Sequence, residues 1–237
     1  MEENITILPD HTYGPFVADF MNREGQHRAF IGICIYRPMS NRSFLTDLIP
    51  WVLDRTPHLT ILVGDYLERH NAVTFEGLPI EKAAARVRKR GRKIRRTIER
   101  VIADIQPVAN IILTDFETEM QKPAFSEIQE AVNRYHAQSS LFSADVSQEV
   151  QRFLRDSKRY PQEAKRHAAI EKPDDLNQYV LEEVAMYIHM YLSGHPIEVY
   201  PGQDLSVLRK IAERTYPEFP YDYSQRTHVG VKRKPKS

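Results

Sequence analysis

Residues Arg28–Tyr36 read RAFIGICIY, a short run dominated by apolar side chains. It is too short and too continuously apolar for a helix with one wet face, and has the pattern of a strand buried on both sides. A loop rich in Pro, Ser and Asn follows, and Ser43–Leu53 has helical spacing. Leu59–Gly64 (LTILVG) repeats the buried-strand pattern and stops at Asp65, Leu78–Ile105 reads as one long helix, and Val108–Thr114 (VANIILT) is a third strand. Strand and helix alternate, which predicts an α/β fold with parallel strands joined by helical crossovers.

Downstream the pattern turns helical. Ser126–Tyr135 and Ser147–Tyr160 carry helical spacing, with Pro161 and Pro173 as breaks. Asp174 or Asp175 is placed to cap a helix running to about Leu192, and Gly194 stands where a helix stop belongs. Pro196–Tyr200 reads as a last strand and Asp204–Thr215 as a short helix. Val229–Ser237 is basic, lacks hydrophobic patterning and is expected to be disordered. The reading is one domain over residues 1–228 followed by a basic tail, 229–237.

At 237 residues, 41% hydrophobic and 27% charged, the chain has the composition of an ordinary globular domain with a core of its own. Cys34 is the single cysteine, which excludes an internal disulfide and a cysteine-based metal cluster. Met1–Asp10 has no long apolar run, so no secretory signal is expected, and no stretch approaches the roughly 20 apolar residues of a membrane span. A cytoplasmic protein is the expectation. The histidines lack metal-ligand spacing, and neither a P-loop nor a GxGxxG pattern is present, so no metal, ATP or dinucleotide cofactor is expected.

Net charge is only +1, but it is unevenly spread. Glu81–Arg100 reads EKAAARVRKRGRKIRRTIER. Ala84, Val87, Gly91, Ile94, Ile98 and Val101 recur at three and four residues and make one helical face. The remainder is crowded with Arg86, Lys89, Arg90, Arg92, Lys93, Arg95, Arg96 and Arg100, opposed by Glu81 and Glu99 alone. Like charges so placed repel one another, and a polyanion relieves the repulsion while releasing its counterions. A solvated face normally mixes signs; this one points to nucleic acid. No helix-turn-helix partner or zinc ligand set accompanies the helix, so sequence-specific DNA binding is not expected.

The strand IGIC, the loop SNRSF, the basic helix and the segment YVLEE, in that order from about Arg28 to Lys210, together resemble the tRNA-dependent cyclodipeptide synthases. That resemblance implies a Rossmann-like parallel sheet with helices on both faces, similar to the catalytic domain of class I aminoacyl-tRNA synthetases. It also implies use of two aminoacyl-tRNAs, without ATP, to build a 2,5-diketopiperazine. The divergence from bacterial members is similar to that of the fungal branch making arginine-containing cyclodipeptides.

Residue by residue, the family's nucleophilic serine follows a G-x pair, and here Gly32-Ile33 leads to Cys34. A thiolate would accept an aminoacyl ester as a thioester but must first be activated. Ser40 or Ser43 is the alternative acceptor, and a buried structural cysteine the bland one. Tyr179 and Glu183 match the family's Y-x-x-x-E, which implies that they hold the first amino group. Spacing of four puts them on one helical face. Tyr200 matches a further family tyrosine, with Pro201 where a histidine often stands. Asn41 matches a site-lining asparagine. Asp65 and Tyr66 sit at the carboxyl edge of a strand, where α/β sheets bind ligands. Asp65 and Glu198 are candidates to meet a substrate guanidinium. Two other classes stay open: a tRNA-binding protein without catalysis, and a cysteine-dependent acyltransferase or hydrolase.

Overall fold

The structure, a computed structural model, describes residues 4–35, 41–105, 110–157 and 174–234. Its first half alternates as expected. Strand β1 (Ile5–Tyr13) and a short α1 (Val17–Asn22) precede β2 (Ala29–Cys34), α2 (Arg42–Leu53) and β3 (His58–Gly64). A 3-10 turn (Tyr66–Glu68), α3 (Arg69–Glu76) and the long α4 (Ile80–Ile105) lead to β4 (Asn110–Asp115). Then come α5 (Phe116–Met120), α6 (Pro123–Gln138), α7 (Ser140–Ser157), α8 (Asp174–Leu192), β5 (Ile197–Tyr200), α9 (Ser206–Ala212) and β6 (Thr227–Arg233).

These strands form one six-stranded sheet in the order β1-β6-β5-β2-β3-β4, a Rossmann-like α/β arrangement. From β4 across to β6 every pairing is parallel, and β1 closes the edge antiparallel to β6. The chain builds outward from β2 through β3 to β4, then returns to lay β5 on the other side of β2. The gap between the carboxyl ends of β2 and β5 is therefore the topological switch point, the crevice in which open α/β sheets bind ligands.

Side-chain alternation along β2 sorts two cores. Ile31 and Ile33 pack with Leu45, Leu48, Ile49, Val87, Ile98 and Val101 of α2 and α4. Phe30 turns the other way, toward Val184, Tyr187 and Ile188 of α8 and the helices behind it. A strand covered on both faces must be apolar at both parities, which is why Arg28–Tyr36 reads as a continuous run.

Two features depart from the sequence reading. The segment from Val229, expected to be disordered, supplies β6 as far as Arg233, so the domain does not end at residue 228. Val229 and Val231 are buried beneath the sheet, and the basic side chains that obscured this two-residue period lie further along the strand. Residues 235–237 of that tail are outside the described residues. The second departure is β1, an edge strand whose register slips between Ile7 and Thr12 around Pro9. Proline cannot donate to a ladder, so it breaks the alternation by which such a strand is recognised. Among the described residues, no helix is long and apolar enough to cross a membrane.

The expected apolar face of α4 is the buried one, with Ala83, Ala84, Val87, Gly91, Ile98 and Val101 turned inward. Gly91 is there for contact: a Cβ at this position would lie 2.3 Å from Asp65 Oδ2 and 2.5 Å from Asp65 Cβ. The first atom could swing away, but the second is fixed to the backbone. Gly91→Ala in a helix interior ordinarily stabilises by up to about 1 kcal/mol. Here we expect it to destabilise by about 1–3 kcal/mol through overpacking, measured as a lower urea midpoint at constant m-value.

Candidate active site

At the switch point β2 ends on Cys34 and β5 ends on Tyr200. The Cys34 thiol donates to Glu68 Oε1 at 3.1 Å, and Glu68, buried in the turn after β3, also accepts from Asn71 Nδ2 at 2.6 Å through Oε2. Across the cleft stands α8. Tyr179 and Glu183 share one face as their spacing requires. Burial pushes the Tyr179 phenol well above its ordinary range, and the nearby Glu183, Glu68, Cys34 and Tyr200 add to the rise. Tyr179 is thus a neutral phenol, its ring stacked on Phe153 at 5.7 Å.

One turn further along the same stripe, Tyr187 is buried and held protonated by burial and by Glu183, Glu198, Tyr200 and Asp204. Sequence reasoning missed Tyr187, although its spacing from Glu183 repeats that of Glu183 from Tyr179. It explains Gly32: a Cβ there would sit 3.1 Å from the Tyr187 hydroxyl and 3.5 Å from Tyr200 Cδ2. Gly32 thus lets these two tyrosines close over the strand. Glu68 was also missed, because a glutamate in an amphipathic stretch carries no signal until the fold brings it to the thiol.

Other expected site residues have different surroundings. Glu182, the neighbour of Glu183 and not itself one of these, is buried in an ion pair with Arg69 at 2.7 Å, with His70 at 3.0 Å. Asn41 caps α2, accepting from the Phe44 N–H at 2.8 Å. Ser43 is exposed and its hydroxyl accepts from Arg233 of β6. Ser40 lies outside the described residues. Asp65 accepts from the Tyr66 N–H at 2.7 Å and faces Gly91, with its pKa pushed up to about 6 by burial. Tyr66 lies under the guanidinium groups of Arg69 and Arg88, 4.1 and 5.1 Å from its centroid.

Glu198 does have a guanidinium partner, but it is the protein's own. Arg226 is fully buried and donates to Glu198, to both oxygens of Asp204 (2.7 and 2.8 Å) and to the Tyr13 hydroxyl. His228 approaches the same guanidinium at 3.3 Å and is stacked near Tyr13. Glu198, Asp204 and His228 are grouped closely enough to hold a metal ion. Arg226 already supplies the cation between the carboxylates. Burial alone would raise the Asp204 pKa, yet Arg226 and His228 bring it down to about 2.

The basic helix touches this site. Arg90 Nε donates to the carbonyl of Ile35, the residue after Cys34, at 3.0 Å. Arg86 pairs with Glu76, Arg88 with Glu117, and Arg95 with Asp115 at 3.0 Å, so part of the positive charge is matched within the fold. Lys89, Arg92, Lys93, Arg96 and Arg100 are exposed and have no hydrogen-bond or ion-pair partner among the described residues.

A family model for cyclodipeptide synthases matches residues 18–191, a span that runs from α1 to the end of α8. The chain belongs to the cyclodipeptide synthase family. It is accordingly an enzyme, an aminoacyltransferase that makes cyclodipeptides. No curated protein matches it in sequence. Among solved structures, it is similar to a synthase from Fluoribacter dumoffii, with a TM-score of 0.74 at 14% identity over 97% of this chain and 98% of that one. A Mycobacterium tuberculosis protein, described as relating these enzymes to type I tRNA synthetases, gives 0.72 at 15% identity over 99% and 95%. A synthase from Candidatus Glomeribacter gigasporarum, solved bound to Phe-tRNAPhe, gives 0.62 at 16% identity over 89% and 88%. At these identities the likeness is one of fold.

The enzyme's buried guanidinium yields two expectations. Arg226→Met strands two buried carboxylates and should cost about 3–5 kcal/mol in chemical denaturation. Adding Glu198→Gln and Asp204→Asn to it should recover much of that loss. The Asp204 pKa is depressed on folding, so its contribution is complete above the ordinary value of 3.8 and is lost as pH falls through about 2. Wild-type stability should therefore drop across that acid window, and the triple variant should drop less.

Proposed function

We propose that this enzyme takes aminoacyl groups from two aminoacyl-tRNAs and joins them by a ping-pong route in which Cys34 carries the first group as a thioester. The observation that carries this reading is that neighbouring strands end on Cys34 and Tyr200 at the switch point, and that Tyr179 has both of them and Glu183 as electrostatic neighbours. The ester of a charged tRNA is already activated, so holding the reactants in line does most of the work. Cys34 takes the aminoacyl group and the first tRNA leaves. Tyr179 and Glu183 hold the α-amino group, Glu183 accepting its proton so that it can act as a nucleophile. Transfer to the amine of a second aminoacyl-tRNA gives a dipeptidyl-tRNA. Ring closure, with Tyr200 hydrogen-bonded to the reacting groups, then releases the diketopiperazine and the second tRNA.

The RNA is held by α4. Its exposed Lys89, Arg92, Lys93, Arg96 and Arg100, with Arg90 at the strand end, form a positive strip leading to the cleft. A structurally similar synthase solved with Phe-tRNAPhe supports such a substrate. Use of charged tRNA fits action in the cytoplasm. Arginine as one of the joined residues is the finer reading. Glu198 already pairs with Arg226 and Asp65 faces Gly91, so neither acid considered for a substrate guanidinium supports that finer reading.

The test is expression in bacteria with mass spectrometry of the medium. Cyclic dipeptides should accumulate with the wild type and vanish with Cys34→Ala; their absence from the wild-type culture would refute the reading. Joint reversal of Arg92, Lys93 and Arg96 to Glu should raise KM for aminoacyl-tRNA at least tenfold and flatten the salt dependence. Unchanged kinetics would remove α4 from the RNA path.

A further inference from the structure

The hydrogen bond between Cys34 and Glu68 has a chemical direction. Glu68 Oε2 is fixed by the Asn71 amide at 2.6 Å, which aims Oε1 at the thiol 3.1 Å away. Glu68 is 4% exposed, so water does not compete for that oxygen. The Tyr179 hydroxyl has both Glu68 and Cys34 among its electrostatic neighbours, so the pair borders the same cleft as the tyrosine stripe. A free thiol at neutral pH is mostly protonated, and a neighbouring carboxylate disfavours a standing thiolate by repulsion. This arrangement therefore holds the sulfur as S–H until the moment of attack, with an acceptor already in line.

We propose that Glu68 is the general base for Cys34 and then the general acid for the departing tRNA. The inference rests on the reading of Cys34 as the acyl carrier and adds the residue that activates it. In the step, the S–H proton passes to Glu68 Oε1 as the sulfur lone pair attacks the ester carbonyl. The C–S bond forms, the C–O bond to the ribose breaks, and the proton held on Glu68 passes to the leaving ribose oxygen. Glu68 is returned as a carboxylate, and no redox partner or cofactor is consumed. The leaving oxygen is bonded to the carbon under attack, so the acid formed in the first half stands beside it in the second.

The test measures single-turnover labelling of the protein from bulk tRNA charged with radiolabelled amino acids, between pH 5.5 and 8.5, followed by peptide mapping. Wild type should label on Cys34 with a rate nearly flat between pH 6.5 and 8.5, because the thiol proton passes to Glu68 and not to solvent. Glu68→Gln, which keeps the volume and can still accept from Asn71, should be slower by about 100-fold or more at pH 6.5. Its rate should climb tenfold per pH unit toward the ordinary thiol value of about 8.5, since only preformed thiolate then reacts. Glu68→Asp, with the carboxylate drawn back, should be slower than wild type but keep the flat profile, and it serves if the amide variant folds poorly. Equal rates in wild type and Glu68→Gln, or a loss that is uniform with pH, would overturn the proposal by making Glu68 a packing or substrate-holding group. A wild type that reacts but carries no label on Cys34 would instead refute the nucleophile itself, and this proposal with it.

Discussion

The buried guanidinium of Arg226 is the constraint around which this end of the sheet is organised. It ties β1 through Tyr13, β5 through Glu198 and the segment before α9 through Asp204. An ion so deeply buried is tolerated because oxygens meet both terminal nitrogens, while Nε has no hydrogen-bond partner among the described residues. The pairing of both terminal nitrogens makes it a rigid support. Glu198 is two residues from Tyr200 on one strand face, and Tyr187 senses Glu198, Asp204 and Tyr200 together. The tyrosines over Gly32 thus rest on a cluster that cannot shift without unpairing a charge.

The central fold was legible because buried parallel strands leave a strong mark. Arg28–Tyr36 and Leu59–Gly64 are apolar at both parities, and the apolar stripe of α4 is written at helical spacing. The edges were not. Pro9 interrupts β1 at its register slip, and Lys232 and Arg233 made β6 resemble a tail. Pairing with a distant strand, not local pattern, makes those segments ordered, and a single sequence does not display it.

The site divides in the same way. Cys34, Tyr179, Glu183 and Tyr200 stand out in the sequence because they sit in short motifs. Glu68, Tyr187, Asp204 and Arg226 do not, since each matters through a neighbour far along the chain: Glu68 meets Cys34, and Arg226 meets Glu198 and Tyr13. Asn41 carries a part that its motif does not display: its side chain caps the first turn of α2. Asp65 and Glu198, candidates to meet a substrate guanidinium, are both buried, and nothing in the local sequence displays that burial.

The division of labour along α4 has a consequence for turnover. With Arg86, Arg88 and Arg95 matched by acids of the fold, the cations left for the proposed RNA contact run from Lys89 to Arg100, a strip about 16 Å long at 1.5 Å per residue. That is a short grip for a molecule the size of tRNA, made of screened contacts that break singly. On the proposed ping-pong route, in which one tRNA must leave before the next delivers its cargo, a brief hold on the spent one favours turnover.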